Sequence, residues 1–143
     1  MTEKVPFELV TPERVVFAEE ADMVVVPGGD GDFGVLPGHA PLLSTVRPGT
    51  VEVYEGDRVT MRIFVSGGFA EVADGRCAVL ADEAVPASEI DRADAEERLK
   101  RAQERHRDTA PEGPEHREAE AELRAAEAMV AAAGAAAKAG TSR

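Results

Sequence analysis

The stretch Gly28-Gly29-Asp30-Gly31-Asp32 combines carboxylates with glycines in the manner of a calcium or phosphate loop. Calcium needs several oxygen ligands, and a calcium-binding glycine-rich repeat would carry an Asp where Phe33 stands. A phosphate loop needs a Lys and a Ser or Thr after the glycines, and none follows. A β turn with polar ends is the simpler reading. His39 could serve a nucleophilic site if Ser66 or Cys77 were its partner and an acid oriented it. Nothing in the sequence puts these residues together, so a hydrogen-bonded turn or interface histidine is the simpler state. Cys77 lies among Val and Ala, where a free Cys packs as a small inert apolar group. No metal cluster and no paired carboxylates on a recognisable scaffold stand out, so no catalytic and no metal residues are assigned.

The elements that must position these residues change character along the chain. Its 143 residues fit one full-sized domain or two small ones, and 43% hydrophobic content suffices for a core. With 4% aromatics and no Trp, that core must be built from Val, Leu, Ile and Ala. A net charge of −12 argues against nucleic acid, which is bound through clustered Lys and Arg, and against direct insertion into an anionic lipid surface. One cysteine cannot form an internal disulfide, so a reducing compartment is the default. No signal peptide and no membrane-spanning run is expected.

Up to residue 86, valines are punctuated by turn residues at short intervals. Strands are expected at about 5–10, 14–20, 22–27, 33–36, 42–46, 50–55, 58–66, 69–73 and 76–82. Such a pattern suggests an all-β sandwich or barrel. Val59, Met61, Ile63 and Val65 alternate with Arg58, Thr60, Arg62 and Phe64, so the first set should face the core. Glu55-Gly56-Asp57 supplies a tight hairpin. From residue 87 the pattern becomes helical. Ser88 and Asp91 resemble a capping box, and Ala95, Leu99, Ala102 and His106 mark one helix face. After the break at residues 108–114, Pro114 can open a second helix. Its face is Ala119, Leu123, Ala126, Val130 and Ala133. The two helices should fold back as an antiparallel hairpin with a thin, alanine-lined seam, and residues 131–143 should fray. The division is thus 1–86, a β-sandwich domain, and 87–143, a helix-loop-helix. The first part carries 15 acidic and 6 basic residues, the second 13 and 10.

One stretch is long and unusual. Gly31-Asp32-Phe33-Gly34-Val35-Leu36-Pro37-Gly38-His39-Ala40-Pro41-Leu42-Leu43 resembles the signature of the epsilon-subunit family of bacterial rotary ATP synthases. Val65-Ser66-Gly67-Gly68-Phe69-Ala70-Glu71-Val72 and Val79-Leu80-Ala81-Asp82-Glu83-Ala84 resemble that family's later β-domain motifs in order and spacing. The likeness covers residues 5–107 and continues more loosely through the second helix. It implies an antiparallel β-sandwich of about ten strands followed by a helical hairpin. It also implies a non-catalytic central-stalk subunit that binds gamma, rests on the c-ring and turns with the rotor in proton-driven ATP synthesis. The location implied is peripheral, on the cytoplasmic face of the bacterial inner membrane.

With that resemblance, the polar turn Gly28, Gly29, Asp30, Gly31 and Asp32 is assigned to the c-ring, Asp32 being the charged contact. The apolar end of the signature, His39, Pro41, Leu42 and Leu43, is assigned to gamma. The family's ATP-binding pattern, Ile/Leu-Asp-x-x-Arg-Ala, falls on Ile90-Asp91-Arg92-Ala93-Asp94-Ala95. Ile90, Asp91 and Ala95 match, but Asp94 replaces the arginine and would repel phosphates. No cofactor is therefore assigned, and ATP binding at the hairpin is expected to be weak or absent. In the family the second helix can rise among catalytic beta subunits and brake ATP hydrolysis, using basic residues against an acidic segment. Here it carries Glu115, Glu118, Glu120, Glu122 and Glu127 against Arg117, Arg124 and Lys138, so inhibition should be weak. The end of the first helix is basic, with Arg98, Lys100, Arg101, Arg105 and Arg107. Two other readings stand beside this one: a free-standing acidic β-domain interaction module, and a small hydrolase using His39.

Overall fold

Strand follows strand here because each apolar run is cut short by a turn. The computed structural model describes residues 3–141, with side chains through Ala135. Its elements are β1 (Val5–Val10), β2 (Val15–Ala21), β3 (Met23–Gly28), β4 (Gly31–Val35), β5 (Leu42–Val46), β6 (Gly49–Glu55), β7 (Arg58–Val65), β8 (Gly68–Ala73), β9 (Arg76–Ala81) and β10 (Ala84–Pro86). Helices α1 (Arg92–Asp108) and α2 (Pro114–Thr141) follow. The strand order is β10-β7-β6-β3-β5-β8-β9-β1-β2, with β4 paired to β3. All pairings are antiparallel except β1 with β9. A single β3–β5 pair, Gly28 with Val46, joins two layers into the sandwich.

The core between the layers is largely valine. Val5, Phe7 and Leu9 of β1, Val24 and Val26 of β3, Val51 and Val53 of β6, Val72 of β8 and Val79 of β9 are buried in one cluster. Period-2 alternation puts them all on inner faces. Strand β9 shows it cleanly: Cys77, Val79 and Ala81 are buried, while Arg76, Ala78 and Leu80 are exposed. The two-residue turn Gly56-Asp57 closes β6 onto β7, and the Gly56 N–H donates to the Asp22 carboxylate at 2.6 Å.

Several expectations need correction. Phe64, assigned to the polar side of β7, is fully buried. It belongs to a second cluster with Ala87, Ala125 and Ala132, packed by Val85, Ile90, Ala128 and Met129. The outer face of β7 is the floor on which the helices lie, so alternation there separates two apolar layers rather than core from water. Val59 and Met61, at the far end of β7, are only half-buried. Strand β10 was not foreseen. Three residues carry no period, and it exists through its pairing with β7, Val85 opposite Phe64. The capping box is displaced as well. Residues Ala87–Glu89 form one 3₁₀ turn, and Asp91 is the N-cap of α1, its carboxylate accepting the Asp94 N–H at 3.0 Å.

The hairpin seam follows the expected faces. Ala95 and Ala102 of α1 and Ala119, Ala126 and Ala133 of α2 are buried, with Leu99, Leu123 and Val130 half-buried beside them. Helix α2 has a second apolar face, Ala125 and Ala132, turned to Phe64. The stretch expected to fray from residue 131 is helical to Thr141, and Ala132 and Ala133 are buried. Residues 142–143 lie outside the described residues.

Candidate functional site

The signature stretch folds as a strand between two differently built ends. At one end β3 turns into β4 through Gly29 and Asp30, with Gly28 opposite Gly31 and Pro27 opposite Asp32. Gly29, Asp30, Gly31 and Asp32 are exposed, whereas Gly28 is buried. The glycines serve close approach within the chain. A Cβ on Gly29 would stand 2.2 Å from Thr45 Oγ1, and the Gly29 N–H donates to the Thr45 carbonyl at 2.9 Å. Asp32 accepts from Arg47 at 2.5 Å, and the same guanidinium donates to the Gly28 carbonyl at 2.6 Å. The charge of Asp32 is therefore balanced inside the protein. Asp30 enters no ion pair among the described residues and is the open charge of this tip.

At the other end Leu36-Pro37-Gly38-His39 makes a type II turn. The His39 N–H donates to the Leu36 carbonyl at 3.1 Å, and Gly38 has φ +82°. His39 Nδ1 lies 2.6 Å from the Ala40 carbonyl, which can only accept, so that nitrogen carries the proton. No hydrogen bond among the described residues joins His39 to Ser66 or Cys77. Burial pushes the Cys77 thiol up to about 11, away from the thiolate that nucleophilic attack requires. This geometry gives the hydrolase reading no catalytic set.

After exposed Pro41, Leu42 and Leu43 begin β5 and point to opposite faces. Leu42 packs on the sandwich core, whereas Leu43 is 73% exposed. Leu43 leads onto an outer surface that the sequence reading missed. Cross-strand pairing aligns Thr45, Phe69, Leu80, Val10 and Val15 in one row over β5, β8, β9, β1 and β2. Phe69, Leu80 and Val15 are each more than half exposed. The neighbouring row is Leu43, Glu71, Ala78 and Glu8, so acidic groups flank the apolar strip. A period-2 reading of each strand can find outward apolar residues; only the register shows that they adjoin.

Ile90, Asp91 and Ala95 do gather on one groove of about 470 Å³, also lined by Glu89, Asp94, Glu97, Arg98, Arg101, Val85 and Met129. Both arginines are engaged. Arg98 grips Glu83 through two nitrogens at 2.9 Å each, and Arg101 pairs with Glu97 at 2.6 Å. The Glu83 bond, more than the nearby charge of Glu122, holds the Arg98 guanidinium above its usual range. Asp91 is occupied as the helix cap. Four carboxylates and two paired guanidiniums make a poor phosphate site.

The basic end of α1 is met by the acidic start of α2. Arg105 bonds Glu122 and lies 3.6 Å from Glu118. Folding also gathers a set that the sequence did not single out: His106, His116 and Glu120 bring ligand atoms within 4.8 Å of one another. The two histidines are ten positions apart in the chain, and the antiparallel hairpin brings them together. Among the described residues, no helix is long and apolar enough to cross a membrane.

Comparison with known proteins gives a consistent result. Residues 4–87 match the family described as "ATP synthase, Delta/Epsilon chain, beta-sandwich domain". The "ATP synthase epsilon chain" of Rhodospirillum rubrum is 51% identical over 132 residues, covering 92% of this chain and 98% of that relative. The protein of the same name from Paramagnetospirillum magneticum is 50% identical over 104 residues, 73% of this chain and 78% of the relative. Among solved structures, a chain of the Euglena gracilis mitochondrial ATP synthase, OSCP/F1/c-ring in rotational state 1, superposes with TM-score 0.74 at 29% identity, covering 90% of this chain and 81% of that one. A chain of the Tetrahymena thermophila mitochondrial ATP synthase central stalk and c-ring has TM-score 0.58 at 14% identity, covering 92% of this chain and 98% of that one, and shares the fold.

Proposed function

The chain belongs to the delta/epsilon family of ATP synthase subunits, and we propose that it works through two separate docking surfaces and a resting helical hairpin. It is a non-catalytic rotor subunit of the central stalk, with gamma and the c-ring as partners. The free-standing module is set aside, because the likeness extends over nearly the whole chain. We place the subunit at the cytoplasmic face of the membrane, and draw the working boundary between sandwich and hairpin at 86/87.

The observation that carries the docking proposal is the apolar row on the face opposite the helices. An exposed strip of this kind marks a protein interface, and gamma is its occupant. Leu43, Phe69 and Leu80 supply the apolar centre, where binding energy concentrates. Glu71 and Glu8 fit a basic rim on the partner. Of the residues first assigned to gamma, His39 and Pro41 shape the approach to β5, and Leu42 braces it from the core side. The tip at residues 28–32 meets polar loops of the c-ring, with Asp30 as the open charge and Asp32 locked to Arg47. The row starts at Thr45, whose carbonyl accepts from the Gly29 N–H, so the gamma face and the c-ring tip are distinct surfaces that adjoin at the end of β5.

The hairpin rests folded on the sandwich. Its support is the pairing of Arg105 with Glu122 and Glu118, the Arg98–Glu83 clamp and the burial of Phe64. The test is reconstitution with the matching complex from which this subunit has been removed. Adding the full chain should restore proton-driven synthesis. Deleting residues 112–143 should change ATP hydrolysis less than about threefold, under ~0.7 kcal/mol. A tenfold release of hydrolysis would show that α2 is a strong brake.

A further inference from the structure

We propose that His106, His116 and Glu120 bind one divalent transition-metal ion of the zinc type at the turn of the helical hairpin. His106 lies in the last turn of α1, and His116 and Glu120 lie one turn apart on α2. Residues at i and i+4 share a helix face, so α2 offers a two-ligand edge and α1 the third ligand. The imidazole rings are 4.4 Å apart with an interplanar angle of 38°, and the three ligand atoms lie within 4.8 Å of one another. Ligand atoms about 2.1 Å from a tetrahedral zinc stand roughly 3.4 Å apart. The set therefore needs to contract by at most about 1.4 Å, which side-chain rotation provides. All three residues are half-buried, so an ion could enter from solvent and keep a water in the fourth position.

A second, independent observation concerns the tautomer. Thr109 Oγ1 donates its one proton to the His106 carbonyl at 2.9 Å. The same oxygen lies 2.9 Å from His116 Nδ1 and has only acceptor capacity left for it. His116 Nδ1 therefore carries the hydrogen, and Nε2 presents a lone pair. A ligating imidazole whose other nitrogen is anchored to an oxygen is the usual arrangement around protein-bound metals. Two imidazoles with one carboxylate suit zinc, cobalt, nickel or copper, whereas magnesium and calcium favour all-oxygen sets. Glu120 is lightly held by Arg124 at 3.8 Å and is free to turn.

Because the ligands come from both helices, the ion would cross-link them. It would favour the folded hairpin over any arrangement in which α1 and α2 separate, in proportion to its occupancy. The site thus offers metal control over the hairpin, independent of nucleotide.

The test uses the full chain without a polyhistidine tag. Zinc chloride calorimetry should show one saturable equivalent, and cobalt should give the intense visible absorption of a tetrahedral site. His106→Ala and His116→Ala should each weaken binding at least tenfold, and Thr109→Val about tenfold through loss of the anchor. Hydrogen exchange around residues 106–116 should slow with zinc in the wild type and not in His116→Ala. Circular dichroism without metal checks that the variants keep their helices; where a histidine variant does not, Glu120→Gln decides by the same titration. Absence of a one-to-one event, or binding unchanged by these substitutions, would overturn the proposal.

Discussion

Arg98 holds Glu83 with two guanidinium nitrogens, each 2.9 Å from a different carboxylate oxygen, and so ties α1 to the segment leading into β10. The same clamp withdraws the best-placed cation from the groove that contains Ile90, Asp91 and Ala95. ATP titrated calorimetrically should therefore bind with Kd above about 1 mM, weaker than about −4.1 kcal/mol. Asp94→Arg, which restores a cation where a carboxylate stands, should tighten it. Saturable micromolar binding by the unaltered chain would contradict this account.

Phe64→Ala should uncouple the hairpin from the sandwich. The ring lies outside the valine core and inside the cluster with Ala125 and Ala132, so its loss falls on the interface. Removal of a fully buried Phe costs about 3–5 kcal/mol. We expect trypsin to cut at Arg98 and Arg101 much faster in the variant while the β signal in circular dichroism persists. Equal cleavage rates would mean that the helices do not depend on this anchor.

Leu43→Asp should weaken gamma binding at least tenfold, about 1.4 kcal/mol, and leave the melting temperature nearly unchanged. Leu42→Asp should do the reverse, lowering stability by more than about 1 kcal/mol because its side chain packs on the core. Interferometry with immobilised gamma and thermal melts of the two variants separate the effects. Should Leu43→Asp bind as tightly as the parent, the outer face of β5 is not the contact.

Asp22 gives a pH signature. The Gly56 N–H first, and then Lys4, hold its carboxyl below the usual 3.8. A carboxylate depressed in the folded state adds stability above its unfolded pKa and loses it as the pH falls through the folded one. The melting temperature of Asp22→Asn should thus lie below that of the parent at neutral pH, and the gap should close below about pH 4. A gap constant from pH 7 to pH 3 would assign the loss to packing instead.

Much of the sandwich was legible in the sequence because valines at period 2 and turn residues report directly on strands. Their silence begins where two layers meet. Phe64 reads as the polar partner of Val65 in any alternation, and only the hairpin above it explains its burial. Leu42 and Leu43 are chemically equivalent in the sequence, and the pleat makes one a core residue and the other a surface one. Asp32 and Asp30 differ only in that Arg47, fifteen residues on, reaches the former. His106 and His116 belong together only after the chain reverses at residues 109–113. Such relations depend on register and reversal, which composition does not encode.

The parallel pair of β1 and β9 joins Phe7 to Cys77, seventy positions apart. During synthesis at about 5–20 residues per second, the first strand waits roughly 4–14 s for that partner to be made. Until then both edges of the β1–β2 ribbon are open, and its inward Val5, Phe7 and Leu9 have no opposite layer. Closure of the sandwich is thus a late event with high contact order, and slow relative to local hairpins. The acidic residues carried by that ribbon, Glu8, Glu19 and Glu20, put like charges on neighbouring nascent copies and oppose their edge-to-edge association on crowded ribosomes.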